Sequence, residues 1–268
     1  MERRQQAAMT ADDEIGQPSD LYWDDVVDVI CAGRGAGALS QAILCTDLGL
    51  NVMLADAVNP ADLADDDTLA YLQAMIDDLG LADRTSQGLE LPVVRAVPEP
   101  PATPKKGRPA TVAPFVGSRL RDWAAQCAAS PFGVIYSAVP DGMTPMRTES
   151  GQAIRAALLG AYQPDADRPG PALTDWLARQ VEERDIPSEG VGLQKLIFED
   201  GRVAGAAIEG PAGTRLVRAL DGVALSTGPT PGGAQWPAQP ELRDIEVQVA
   251  VVSRTASRFG RVELLHID

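Results

Sequence analysis

The chain has 268 residues, a length that suits one large domain or one domain with an insertion. Its 38 acidic and 23 basic side chains leave a net charge of −15, which makes nucleic acid and anionic membrane surfaces poor partners. The single histidine, His266, argues against a histidine-based metal site and against a Ser-His-Asp triad.

Residues 1–24 begin the chain as a polar, acidic segment without a periodic apolar face, which predicts a flexible arm before a domain at residues 25–268. From Val26, the β-branched run VVDVICA predicts a strand buried in a parallel sheet. Glycines and then a helical pattern follow, and NVMLAD predicts a second strand that ends in Asp56. This order of elements makes one βαβ unit.

The middle of the chain is predicted to contain helices and one long irregular insertion. Residues 63–80 have helical periodicity, with acidic side chains at the start and Gly80 at the end. Seven prolines between Pro92 and Pro114 predict a loop or extended linker. The segments RLRDWAAQCAAS, QAIRAALLGAY and ALTDWLARQVEER predict three further helices, and SPFGVIYSAV predicts a strand.

The last quarter of the chain is predicted to be β-structure. LQKLIF, RVAGAAIE and TRLVRA, joined by an Asp-Gly turn and a glycine-rich turn, predict a three-stranded β-meander. GVALSTGP then predicts a separate buried strand that ends in a Thr-Gly turn. The segments IEVQVAVV and RVELLHI predict a hairpin at residues 245–267.

The glycine-rich segment from Gly33 to Ala38 has the pattern G-x-G-x-x-A and lies between the predicted strand and helix. Gly33 permits a tight turn, Gly35 lets backbone amides approach a pyrophosphate, and Ala38 is small enough for close packing of the helix on the strand. The start of the helix offers free N–H groups to phosphates, and Asp56 can accept hydrogen bonds from ribose hydroxyls. An adenine dinucleotide is the expected ligand. The alternative is a turn that only packs the helix on the strand.

The order of elements favours FAD over NAD as that dinucleotide. A simple nicotinamide-binding domain continues with alternating helices and parallel strands, whereas this chain runs into a meander and returns to a strand with a Thr-Gly end. We therefore predict an α/β, Rossmann-like FAD-binding fold with a parallel sheet, a β-meander and a helical, proline-rich insertion.

Three segments carry a family resemblance: DVICAGRGAGALSQAI, LIFEDGRVAGAAIEG and GVALSTGP. They resemble the FAD-binding half of the ketosteroid dehydrogenase and fumarate reductase flavoproteins. The resemblance implies an FAD-dependent oxidoreductase of dehydrogenase type. It implies that the segment Gly33, Gly35, Ala36, Gly37 and Ala38 faces the pyrophosphate, that Asp56 binds the ribose, that the backbone around Leu193 lies at the adenine, and that Thr227 and Gly228 lie at the edge of the cofactor.

The chain departs from that family at several places. Asp56 is followed by AVNPADLADDD where the family has a Gly-Gly-Ser/Thr segment, Gly228 is followed by Pro229, and no substrate domain or catalytic residue can be recognised. These departures motivate an alternative function, a catalytically silent subunit that binds a protein partner or a second copy through an exposed edge of the predicted hairpin.

The acidic cluster at residues 65–67 is interpreted as the start of a helix and not as a metal site. The three cysteines, Cys31, Cys45 and Cys127, are expected to be reduced core thiols. With no predicted signal peptide or membrane span, we expect a cytoplasmic protein.

Overall fold

The computed structural model describes residues 22–56, 65–79, 89–99, 117–227 and 236–267. The first 21 residues of the predicted arm and most of the proline-rich segment, residues 100–114, lie outside the described residues. The last residues assigned to the arm contact the domain. The Asp24 N–H donates to the carbonyl of Leu216 at 2.8 Å, and Arg218 lies over the Trp23 ring.

Eleven strands and four helices are found in the described part of the chain. The strands are β1 (Asp25–Ala32), β2 (Val52–Asp56), β3 (Val93–Pro98), β4 (Gly133–Tyr136), β5 (Thr144–Thr148), β6 (Ala153–Tyr162), β7 (Ser188–Glu199), β8 (Arg202–Gly210), β9 (Gly213–Ser226), β10 (Val247–Ser253) and β11 (Phe259–His266). The helices are α1 (Ala36–Asp47), α2 (Asp66–Ile76), α3 (Gly117–Ala128) and α4 (Pro169–Glu183).

The strand pairings form two closed circuits, which we call the first and second rings. The first ring runs through β1, β2, β7, β8 and β9, and β9 returns to pair with β1 in parallel. The second ring runs through β11, β10, β6, β5 and β3, and β3 pairs in parallel with β11. Strand β4 joins the rings because it pairs with both β9 and β11.

The βαβ unit and the meander are confirmed. Strand β1 pairs in parallel with β2, with Val29 opposite Val52, and β7, β8 and β9 are antiparallel neighbours. The last strand of the meander, TRLVRA, and the following buried strand, GVALSTGP, were predicted as two strands but belong to one strand of 14 residues, β9. Strand β9 pairs with β8 as far as Arg218 and in parallel with β1 from Val217 to Leu225, and Gly222, where φ is +121°, lies at a bulge in that parallel pairing. The two predicted segments are continuous because a glycine accommodates this bulge.

Two predictions about the middle of the chain are wrong. The segment QAIRAALLGAY is not a helix but strand β6, which pairs on both sides, with β5 and β10. Its alanines and leucines have high helix propensity, but pairing and burial in the sheet override that weak preference. The predicted loop after Pro92 begins instead with strand β3, in which Val93, Val94 and Val97 supply the β-branched side chains that favour a strand.

The predicted hairpin near the end of the chain is confirmed as β10 and β11, with Val251 opposite Val262. The predicted exposed edge of this hairpin is covered by other strands, because β10 also pairs with β6 and β11 also pairs with β3 and β4. The hairpin lies inside the sheet and offers no free edge to a partner strand.

Three apolar cores follow this arrangement. One fills the first ring, with side chains such as Ile30, Leu196 and Ile208. A second surrounds α1 and α4, and the third lies between α3 and the strands of the second ring. All three cysteines are buried and form no disulfide, as predicted. None of the described helices is both long enough and apolar enough to cross a membrane.

Candidate functional site

The glycine turn lies where three parallel strands, β1, β2 and β9, end side by side. The Gly33 N–H donates to the carbonyl of Ala55 on β2 at 3.0 Å, which fixes the turn to the sheet. Gly33 has a φ of +117°, and a Cβ added there would lie 2.8 Å from the Cβ of Ser226 on β9. Backbone conformation and close packing therefore both require glycine at this position.

Helix α1 begins at this turn without a side-chain cap. Gly35 is the N-cap residue in an extended conformation, no side chain bonds the first turn, and no acidic residue lies in it. Ala36 and Ala38 are almost completely buried. A buried helix start normally has an acceptor for its free N–H groups, and none of the described side chains supplies one. The positive end of α1 is therefore available to an anion.

Gly37 packs the first turn of α1 against β4. A Cβ on Gly37 would approach the carbonyl oxygen of Gly133 to 2.1 Å, so the helix and the strand are in backbone contact. Gly133 has the same restriction, because its own Cβ would lie 2.0 Å from the carbonyl oxygen of Cys127. The role of Gly37 in the structure is this close packing, which the sequence pattern did not indicate.

Asp56 ends β2 beside the turn and is already paired with Arg34, a residue to which the sequence assigned no role. The Nε and Nη2 groups of Arg34 donate to the two carboxylate oxygens of Asp56 at 2.7 and 2.6 Å. This bond raises the pKa of Arg34. The side chains of Arg34 and Asp56 are 58% and 28% exposed. The two residues are 22 positions apart because α1 and β2 lie between the turn and the end of β2.

Asp56 also neighbours strand β7. Asp56 lies opposite Gly192 in the parallel pairing of β2 with β7, and none of the described residues lies within 4 Å of a Cβ built on Gly192. Leu193, the next residue, pairs with Ile208, and its side chain is buried in the core of the first ring. The backbone near Leu193 is thus at the same edge of the sheet as Asp56.

The end of β9 contributes one polar side chain to the turn and one to packing. The Ser226 hydroxyl is buried without a hydrogen-bond partner among the described residues. Thr227, by contrast, is committed to the protein, because its hydroxyl donates to the carbonyl of Ser130 at 2.8 Å and its N–H donates to the carbonyl of Gly133 at 3.0 Å. Gly228, predicted at the edge of the cofactor, lies outside the described residues. No sequence pattern indicates that the Ser226 hydroxyl is buried without a hydrogen-bond partner among the described residues.

These residues bring backbone N–H groups, a hydroxyl and a carboxylate to one edge of the sheet. The start of α1 has N–H groups of the kind that bind phosphate oxygens, the Ser226 hydroxyl lies beside them, and the Asp56 carboxylate is paired with Arg34. A separate cavity of about 440 Å³, lined in part by Tyr71, Ser137, Asp221 and Arg258, contains none of the residues predicted from the sequence.

Comparison with known proteins gives structural likeness only. No known family model and no curated protein matches the chain. Similar solved structures include a 3-ketosteroid-Δ4-(5α)-dehydrogenase from Rhodococcus jostii RHA1, with 19% identity and a TM-score of 0.33. It is matched over 76% of this chain and 46% of its own. The resemblance predicted from the sequence is therefore found among the structural neighbours.

Two further similar structures have different activities. A flavocytochrome c3 fumarate reductase in its open conformation has 14% identity and a TM-score of 0.31, and is matched over 73% of this chain and 32% of its own. The myxobacterial halogenase CndH, an FAD-dependent halogenase, has 14% identity and a TM-score of 0.28. The match covers 73% of this chain and 36% of the halogenase chain. This chain thus spans a third to a half of the length of these proteins, and likeness this distant carries no argument about function.

Proposed function

We propose that the chain is an FAD-binding flavoprotein of oxidoreductase type, with dehydrogenase chemistry and an unidentified substrate. The observation that carries this proposal is the buried, uncapped start of α1 beside the unpartnered hydroxyl of Ser226. Both are polar groups without an acceptor among the described residues, at the edge where three parallel strands end. A bound pyrophosphate would satisfy both.

The residues of this edge fit the ADP half of FAD. The amides of Gly35 and of the first turn of α1 would face the pyrophosphate, Ser226 would donate to a phosphate oxygen, and Asp56 would accept from the ribose. The adenine would lie beside the backbone of Leu193, near Gly192, where none of the described residues approaches an added Cβ within 4 Å. When bound, the flavin supplies hydride or electron transfer. The chain's own contribution is to hold the nucleotide and to exclude water from its phosphates.

FAD is favoured over NAD because β9 continues from the meander into the parallel sheet, the order of elements from which the sequence predicted FAD. Cys31, Cys45 and Cys127 are free thiols, in keeping with a reducing compartment such as the cytoplasm. The alternative of a silent scaffolding subunit was favoured by a free edge of the hairpin, but both strands of that hairpin pair with further strands.

The test is a titration of the purified protein with FAD, followed by calorimetry and by the absorption of the flavin. We expect saturable binding, which Gly35→Val abolishes because a branched side chain blocks the approach of the pyrophosphate. Circular dichroism of the variant should show an intact fold. Equal affinity in the variant would place the nucleotide elsewhere, and no binding to the wild-type chain would reject the cofactor.

A further inference from the structure

The ion pair of Arg34 with Asp56 has a geometry that bears on nucleotide binding. Two N–H groups on one edge of the guanidinium face both oxygens of one carboxylate, at 2.7 and 2.6 Å. Such bidentate pairs are the strongest form of exposed ion pair, because the planar fork matches the carboxylate. Asp56 is therefore occupied by the protein itself.

A ribose that binds this carboxylate would approach along the same direction. Its two neighbouring hydroxyls donate best when each faces one carboxylate oxygen, which is where the Nε and Nη2 groups of Arg34 lie. The hydroxyls are neutral donors and the guanidinium is a charged one, so the exchange replaces a stronger pair of hydrogen bonds with a weaker pair.

We propose that Arg34 competes with the nucleotide ribose for Asp56, so that the glycine turn binds adenine nucleotides more weakly than it would with Asp56 free. This inference rests on the proposed function, because it concerns the same site. On binding, Arg34 leaves the carboxylate and turns to solvent, which its 58% exposed side chain permits without disturbing the core.

The chain contains a matched control at the other end of the same helix. The Nε and Nη2 groups of Arg184 donate to the two oxygens of Asp47, the last residue of α1, at 2.8 and 3.1 Å. This second pair has the same chemistry and a similar geometry, but it lies at the end of α1 away from the turn. Its removal changes the charge of the protein as the removal of Arg34 does, without changing Asp56.

The experiment is calorimetric titration with 5′-ADP of the wild-type chain, Arg34→Met, Arg184→Met, and Arg34→Met combined with Asp56→Asn. We expect Arg34→Met to bind ADP about fivefold more tightly, the factor that corresponds to about 1 kcal/mol for an exposed bidentate pair. Arg184→Met should match the wild type. The combined variant should lose the gain, because the improved affinity comes through the Asp56 carboxylate.

A second measurement follows Arg34 itself. In the wild-type chain, the Nε–H resonance of Arg34, assigned by its loss in Arg34→Met, should report the hydrogen bond with Asp56 and should change when ADP saturates the site. Affinity that is unchanged or weaker in Arg34→Met would overturn the competition and make Arg34 a residue that positions Asp56. Absence of ADP binding in every variant would instead reject the nucleotide site, and the proposed function with it.

Discussion

Buried polar groups occur in both rings. Some of them have hydrogen-bond partners within the protein, and others have none among the described residues. In the second ring, the Trp123 indole donates to the carbonyl of Phe259 at 2.9 Å, and Arg261 donates to the buried carboxylate of Glu263 at 2.6 Å. At the open end of the first ring, Ser226 has no partner among the described residues and α1 has no side-chain cap. The Tyr162 hydroxyl on β6 of the second ring is also buried without a partner among the described residues. An unpartnered group alone therefore does not mark a ligand site, and what distinguishes the first ring is that Ser226 lies beside the uncapped start of α1.

The largest effect is expected where the helix that carries the turn contacts β4. Gly37→Ala would place a Cβ 2.1 Å from the carbonyl oxygen of Gly133, and neither backbone can move without displacing the other. We expect a loss of at least about 3 kcal/mol in the free energy of unfolding, although alanine is the better helix former by about 1 kcal/mol. Urea unfolding measures this.

Gly192→Ala is the control for that variant, because no atom of the part of the chain that the structure describes lies within 4 Å of the added Cβ. Its free energy of unfolding should stay within about 0.5 kcal/mol of the wild type. Equal stability of both variants would show that Gly37 is not in backbone contact with β4.

A slightly smaller effect is expected in the second ring. Arg261→Met removes the partner of Glu263, whose side chain is only 4% exposed, and leaves a buried carboxylate unpaired. We expect destabilisation of about 3 kcal/mol. Replacing Glu263 with leucine in the same chain should recover most of this loss, because the unpaired charge is then absent. If Arg261→Met alone were as stable as the wild type, this would contradict the structural role of the pair.

The sequence predicted the first ring better than the second. Residues 26–56 carry a local signal, since the turn, helix and strand follow one another and each has its own pattern. Strand β6 has no such signal: its residues favour a helix, and its partners β5 and β10 are distant or unrecognised in the sequence. Gly160, with a φ of +148° near the register shift between β6 and β10, is the one residue that argues against a helix there.

The candidate site was predicted only in its outline. The spacing of Gly33, Gly35 and Asp56 indicates a nucleotide-binding turn, because the pattern specifies backbone geometry. Its details depend on side chains brought together by the sheet. The pairing of Arg34 with Asp56 and the missing partner of Ser226 follow from strand register and packing, which no local pattern encodes.

An intermediate effect tests whether Ser226 is left for a ligand. Ser226→Ala removes a buried hydroxyl without a partner among the described residues, so stability should not fall, while affinity for 5′-ADP should drop about tenfold through the loss of a bond to a charged phosphate. Ser137→Ala is the control. The Ser137 hydroxyl accepts from the Val223 N–H at 2.8 Å, so that change should cost stability and leave ADP affinity unaltered. If Ser226→Ala lowered stability without weakening ADP binding, and Ser137→Ala weakened ADP binding without lowering stability, Ser226 would not be the serine that is left for a ligand.

The smallest effect concerns the hydrogen bonds that cap α2 and link it to strand β7 of the first ring. Asp65 caps α2 by accepting from the N–H and the hydroxyl of Thr68 at 2.9 and 2.6 Å, and the same hydroxyl accepts from the Leu196 N–H on β7 at 2.9 Å. These bonds lower the pKa of Asp65. Asp65→Ala should cost about 1 kcal/mol at pH 7.

The sign of the pH dependence follows from that lowered pKa. The stabilisation by the Asp65 carboxylate is present above its unfolded pKa of about 3.9 and is lost as the pH falls through the folded value. The difference between the wild type and Asp65→Ala should therefore shrink in acid. Asp65→Asn, which caps a helix nearly as well but does not titrate, should keep a constant difference from Asp65→Ala over the same range. A wild-type advantage that persists at the lowest pH would show that the carboxylate charge does not contribute, and that this cap stabilises α2 by hydrogen bonding alone.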